Sequence, residues 1–471
     1  MSIPCSRLPA ALLALAACIA IPSSAHAADV LDPRFDGDGF RVLPATLDGY
    51  VPFGSCPHAN GSVSVVAVHP TLASLAVVRL TANGALDGGF SGDGIHLFPS
   101  QRYGIDAALS STACVGLGNS DPADDRMMIA ATAASSFDVA YVAFVDLNIG
   151  GFDSTFYLGG PGSFDLSGLA YPPVGGVHPY PRIRVRGVFS GANGEWLLVA
   201  QIDGHSSAVP RGLVARLGAG GGVQAIASPS LGGFDSLDLV SARVGGDGDI
   251  RVLGDFEMAG GSGWGLMRLN GSTLAAVSMS ASGSAGGVWW RTFKARHIGG
   301  GISVAGALIG DSSAFGVAPR LLIVRGDNVR VLNLPAVPAL DGVTGAGALG
   351  LDGSVAATGA AGNRAVFAMG LRTVDSSYAG FYAALVQLGD GGAAPDLPDP
   401  HFGSNGAASF RLHEAAACAP GQAPTQQFMN IASWGGATTL VGTAASSCGQ
   451  APASALVARV ETDLLLRDGF E

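Results

Sequence analysis

Residue types able to do chemistry are present, but few stand in a pattern that names a reaction. Beyond residue 27 the histidines are single (His58, His69, His96, His178, His205, His297, His401, His413), with no His-x-His or His-Glu-x-x-His. His413-Glu414 lacks the second histidine that a zinc site needs. No Gly-x-Ser-x-Gly occurs, so the usual nucleophile elbow is missing. Lys294 is the only lysine, which excludes a Walker phosphate loop and any Schiff base formed elsewhere. Gly345–Gly350 spells Gly-x-Gly-x-x-Gly, yet Leu351-Asp352-Gly353, a hairpin turn, follows where a dinucleotide site needs a helix. Asp36-Gly37-Asp38-Gly39, Asp93-Gly94 and Gly245–Asp249 carry the carboxylates of a calcium loop without its distal acid, and read as turns. No metal and no cofactor is expected.

Three sets of side chains remain. Tyr157, Tyr171, His178 and Tyr180 lie among prolines in the long stretch Ser154–Pro181. Aromatics held by prolines make a stiff amphipathic surface for a glycan, peptide or protein ligand, and equally a cover for one mouth of the fold. Arginines recur at equivalent places (Arg79, Arg216, Arg268, Arg325, Arg459), as a ring for an anion or, the favoured reading, as a structural device. Arg325-Gly326-Asp327 spells an adhesion tripeptide but falls where a hairpin is expected. Of six cysteines, Cys56, Cys114, Cys418 and Cys448 follow the leader, and their placement in the repeat predicts Cys56–Cys114 and Cys418–Cys448 bridges.

The elements that carry these residues come from one unit written seven times. A short apolar run ending in Arg-Leu or an equivalent pair recurs every 52–72 residues, at Arg79, Asp146, Arg216, Arg268, Arg325, Gln387 and Arg459. Ahead of each is a second run behind a glycine-rich turn: 63–68, 127–133, 196–202, 250–256, 302–308, 354–360 and 438–444. Runs of this length, broken this often by glycine, are strands joined by hairpins. Only His413–Cys418 could make a helical turn. Three or four strands repeated seven times predict an all-β, seven-bladed β-propeller.

A further phrase follows some of the Arg-Leu runs: LDPRFDGDGF at 31–40, LDGGFSGDGI at 86–95 and a looser DPHFGSNGAASF at 399–410. The first copy precedes any full unit and the last unit has none after it, so Phe40–Pro44 is expected to pair with Ala455–Leu465 and close the ring. These phrases, each near a (Val/Ala)-Arg-Leu run, resemble the delta-60 repeat family of secreted bacterial proteins. The match is good over 31–99 and poor over 220–340. The resemblance implies export and a propeller-like fold, and no activity.

The domain plan is therefore a signal peptide at 1–27, the propeller at 28–466 and a short tail at 467–471. Arg7, the apolar run Leu8–Ile21 and Ala25-His26-Ala27 make the signal, with processing before a lipid-bearing Cys18 as the rival. A secreted or periplasmic monomer is expected. The net charge of −11 and near-absence of lysine argue against nucleic acid, and no later run is long enough to span a membrane. With no motif for a reaction, the expectation is a non-catalytic binding or scaffold protein. The alternative is a propeller enzyme built from loops, such as a metal-dependent lactonase or other hydrolase.

Overall fold

Strands whose alternate side chains are all apolar have two faces to cover, so each sheet needs a neighbour on either side. The computed structural model describes residues 30–460 apart from single positions and short stretches, the longest being 166–181 and 411–425. In it the chain is an all-β, seven-bladed propeller, and the one helical element among the described residues is a 3₁₀ turn at Ala45–Leu47. The innermost strands are Val51–Pro57, Leu109–Val115, Arg182–Ser190, Ser236–Val244, Val288–Ile298, Gly353–Thr358 and Gln426–Trp434. They number blades 1 to 7. The second and third strands fall on the apolar runs read from the sequence, from Val63–His69 and Ser74–Leu80 to Ala437–Ser447 and Gln450–Val460, except in blade 6, where the run 354–360 makes the innermost strand and Arg364–Thr373 is the second.

Blade 7 takes its fourth strand, Phe40–Val42, from the opposite end of the described chain; Arg41 lies opposite Val457 in an antiparallel pair. Seven apolar cores fill the seams between consecutive blades. Met127 and Ile129 pack toward blade 1, whereas Met128 and Ala130 pack toward blade 3. Leu198 and Leu197 divide in the same way between blades 2 and 4. The seam between blades 7 and 1 holds Val441 and Val457 against Val63 and Val65.

The recurring phrase folds alike in its three copies, each leading into a fourth strand. Phe35, Phe90 and Phe402 are buried, and each amide donates to the carbonyl of the aspartate three positions before it: Asp32, Asp87 and Asp399. Each phenylalanine carbonyl then accepts the amide of Gly39, Gly94 or Gly406. Gly39 and Gly94 have φ of +89° and +87°, and a Cβ on Gly39 would stand 2.4 Å from the Cβ of Leu31. Only glycine meets both demands. The carboxylates of Asp38 and Asp93 accept the amides of Phe40 and Ile95, which accounts for them as turn residues. Asp247, likewise, is engaged by Arg251 and Arg268.

The arginines tie blades together. Arg79 donates to the Leu147 carbonyl, Arg216 to that of Gly271, Arg325 to that of Gly389 at 2.8 Å and Arg459 to that of Ala82 at 2.7 Å. In each case the acceptor follows the third strand of the next blade. Arg268 instead stays within its own blade on Asp249, and Arg243 reaches the Gly326 carbonyl of blade 5 in its place. Their guanidinium groups also lie over aromatic rings, Arg79 over Phe90 and Arg459 over Phe35. The Arg325 head is further held by buried Asp396, so the Arg-Gly-Asp tripeptide is part of a seam.

Replacing Arg459 by Met keeps most of the stem and removes charged donors onto two carbonyls of blade 1. Urea unfolding is expected to show a loss of about 1.5–3 kcal/mol.

Candidate functional site

The aromatic loop Tyr157, Tyr171, His178 and Tyr180 lies outside the described residues, as do Cys418, Cys448 and the segment His413–Cys418. Cys56 and Cys114, on the innermost strands of blades 1 and 2, are joined by a disulfide with Cα atoms 5.7 Å apart. Among the described residues no cluster of three or more His, Cys, Asp or Glu is set to hold a metal ion. Nor is any helix there long and apolar enough to cross a membrane.

Two polar constellations emerge that no linear motif announces. The first lies beside the disulfide, in the seam of blades 1 and 2. His58 Nδ1 meets Asp125 Oδ2 at 2.6 Å, and His58 Nε2 meets Ser64 Oγ at 2.8 Å. Arg79 Nε donates to the same hydroxyl at 3.4 Å. The order of groups is that of an acyl-transfer relay. Burial decides against that use: Ser64 is 0% exposed, and His58 and Asp125 are 6% exposed each. A substrate carbonyl has no approach to the hydroxyl. The line instead satisfies three buried polar groups at once and joins turns from two blades. Burial is the largest influence on His58, pulling its pKa below 6.5 despite the hydrogen bond with the Asp125 carboxylate, with Arg79 pulling in the same direction as burial.

The second constellation starts on the innermost strands. The first strand of every blade except the sixth carries a β-bulge near its middle, as between Val185 and Gly187 in blade 3 and between Leu239 and Ser241 in blade 4. A bulge bends its strand and re-aims one side chain. In blade 3 that residue is Arg186. Its Nε donates to Asp238 Oδ1 of blade 4 at 2.9 Å, while Nη2 bonds Asp238 Oδ2 and Gln201 Oε1, the latter at 2.8 Å. Asp238 lies directly opposite Asp255 on the second strand, and Asp255 directly opposite Trp264 on the third. Residues directly opposite share a face, so Asp238, Asp255 and Trp264 form one row. The side chains of Arg186 and Asp238 are 29% and 23% exposed, so solvent reaches them. Trp264 is buried, with Trp290 of blade 5 packed against the same cluster. Two carboxylates, a guanidinium and an indole in a row that runs outward from the innermost strand are chemically versatile: they can bind polar ligands, move protons and stack on a ring.

No protein-family model and no curated protein matches the chain. Among solved structures it is similar to an ulvan lyase of a new polysaccharide lyase family (11% identity, TM-score 0.45, 89% of this chain and 96% of that one). An α-L-arabinofuranosidase from Fusarium graminearum is also similar (8%, TM-score 0.40, 89% and 97%). So is an α-L-arabinanase from Penicillium chrysogenum (14%, TM-score 0.33, 58% and 92%). The likeness is one of fold. These neighbours are mainly glycan-processing propeller enzymes, which corrects the non-catalytic scaffold expected from sequence. That expectation rested on the lack of linear motifs, whereas the members of the axial row come from separate strands.

The buried His58 gives a signed pH dependence. The folded protein holds it neutral where the unfolded chain takes up a proton near pH 6.5, so the unfolded state gains protons first. Its contribution is complete above about pH 6.5 and is lost as the pH falls toward the lower folded value. His58→Gln should flatten the stability profile between about pH 7 and pH 5, as measured by urea unfolding at several pH values.

Proposed function

We propose that the chain is an exported propeller hydrolase that acts on glycans at the axial end of blades 3 to 5. The observation that carries the reading is the row Asp238, Asp255 and Trp264, with Arg186 from the adjoining blade gripping Asp238. Glycoside hydrolysis needs two carboxyl groups beside the scissile bond, one to protonate the leaving oxygen and one to attack the sugar or activate water. Directly opposite residues have Cβ atoms about 4.5–5.5 Å apart. That spacing suits the about 5–5.5 Å between carboxyl groups of a double-displacement enzyme better than the wider gap that admits a water. Arg186 fixes one rotamer of Asp238 and offsets its charge, which suits the attacking role. Asp255, next to Trp264 and farther from Arg186 in the row, suits the proton donor.

Export is part of the reading, on the strength of Arg7, Leu8–Ile21 and Ala25-His26-Ala27. The resemblance to delta-60 repeat proteins agrees with it. The bound molecule is then an extracellular or periplasmic saccharide.

Release of reducing ends from a panel of polysaccharides and aryl glycosides tests the proposal. The full chain should turn over at least one member. Asp238→Asn and Asp255→Asn should each lower the rate by about 100-fold or more while leaving the folded structure intact by circular dichroism. No turnover of any member, or undiminished turnover by both variants, overturns it.

A further inference from the structure

Five Asn-Gly pairs occur in the chain, at Asn60, Asn83, Asn193, Asn270 and Asn405. Such a pair can react with itself: the glycine nitrogen, unhindered by a side chain, attacks the carbonyl carbon of the asparagine side chain. A hydrogen bond on either partner opposes the step, because it must break before the two atoms meet. In four pairs the glycine amide is a bonded donor. Gly61 donates to the His58 carbonyl at 2.9 Å, Gly84 to that of Thr81 at 3.0 Å, Gly406 to that of Phe402 at 2.9 Å and Gly271 to Asp249 Oδ1 at 3.2 Å. Gly84 and Gly406 are buried, and Gly61 and Gly271 half-buried. The side chains of Asn60, Asn83 and Asn270 are engaged as well, each accepting through Oδ1.

The pair at Asn193 is different. It forms the tip of the hairpin between the first two strands of blade 3, with φ of +53° at Asn193 and +76° at Gly194, as a type I′ turn requires. The closing bonds belong to its neighbours, from the Gly191 amide to the Glu195 carbonyl and from the Glu195 amide to that of Ala192. Neither the Gly194 amide nor the Asn193 side chain has a hydrogen-bond partner among the described residues, and both residues are exposed. We propose that Asn193 is a self-modification site, whose reactants are its own main chain and water. The Gly194 nitrogen gives its proton to solvent and bonds to Asn193 Cγ. The Cγ–Nδ2 bond breaks, and that nitrogen takes up a proton and leaves as ammonia, closing a five-membered imide. Water then opens the imide at either carbonyl, leaving an aspartate or a β-linked aspartate with one extra methylene in the main chain. The new carboxylate stands beside Glu195, whose own lies 3.9 Å from Arg216 Nε. The extra methylene lengthens a loop whose length sets the strand register.

Incubation of the full folded chain for weeks in mildly alkaline buffer, followed by peptide mass mapping, tests the site. The tryptic peptide 187–211, in which Asn193 is the only asparagine, should convert from amide to acid about tenfold faster than peptides carrying the other four pairs. Its product should accept a methyl group from an isoaspartyl methyltransferase. In concentrated urea the five pairs should convert at comparable rates, since each is then an exposed Asn-Gly. Conversion of 187–211 no faster than that of the other pairs in the folded chain, or no conversion of it, overturns the proposal. A lead for Asn193 that persists in urea also overturns it, because the selection would then lie in adjacent residues and not in the fold. Asn193→Gln, which would have to close a six-membered ring, should halt the conversion. An undiminished rate in that variant places the reaction elsewhere in the peptide and overturns the site.

Discussion

A β-sheet apolar on both faces cannot be left with one side in water, and everything in this molecule follows from how that demand is met. Each second strand sends alternate residues to different seams, as Met127 and Met128 do, so every blade contributes to two cores and owns neither. Stability is therefore shared around the ring. The polar ties at the seam edges add direction to this non-directional packing. An arginine on one third strand meets a carbonyl beyond the next, which sets how far each blade can slide or tilt against its neighbour. Guanidinium suits the task because it offers several donors in a plane while the face of that plane lies over a ring such as Phe35 or Phe90.

That shared rigidity is what lets side chains from different blades meet at the axis. Arg186 belongs to blade 3, Asp238 to blade 4 and Trp290 to blade 5. Their relative positions are set by the packed seams between them. The bulge in the innermost strand of blade 3 turns Arg186 out of the regular alternation toward Asp238 of the next blade. Gln201, from the second strand of blade 3, steadies the same guanidinium. Groups held in this way keep their geometry before a ligand arrives.

The architecture was legible because its signals are local. Alternating apolar runs, glycine at positive φ and an arginine at a fixed place in most units each leave a mark in a few residues, and repetition amplifies the mark. The same holds for Cys56 and Cys114, whose matching places in neighbouring units put them on adjacent innermost strands. The axial site left no comparable trace. Asp238, Asp255 and Trp264 are ordinary residues of three strands, brought into line by pairing register, and Arg186 joins them through a bulge beside Gly187. The line from Ser64 to Asp125 was hidden for a related reason: its histidine is 6 residues from one partner and 67 from the other, across a seam. Burial, which excludes that line from catalysis, is likewise a property of the assembled ring.

Phe40–Val42 completes a sheet whose other strands end at Val460. Synthesis from the amino end thus makes the finishing strand of the last blade before blades 1 to 6 and its partner after them. Until that partner emerges, the early segment has no native mate, and the loop to be closed spans nearly the whole polypeptide, a slow step by chain entropy. The ring cannot shut around a half-made chain. A polypeptide of this topology stays open, and competent to be threaded through a narrow passage, for as long as its final residues are held back.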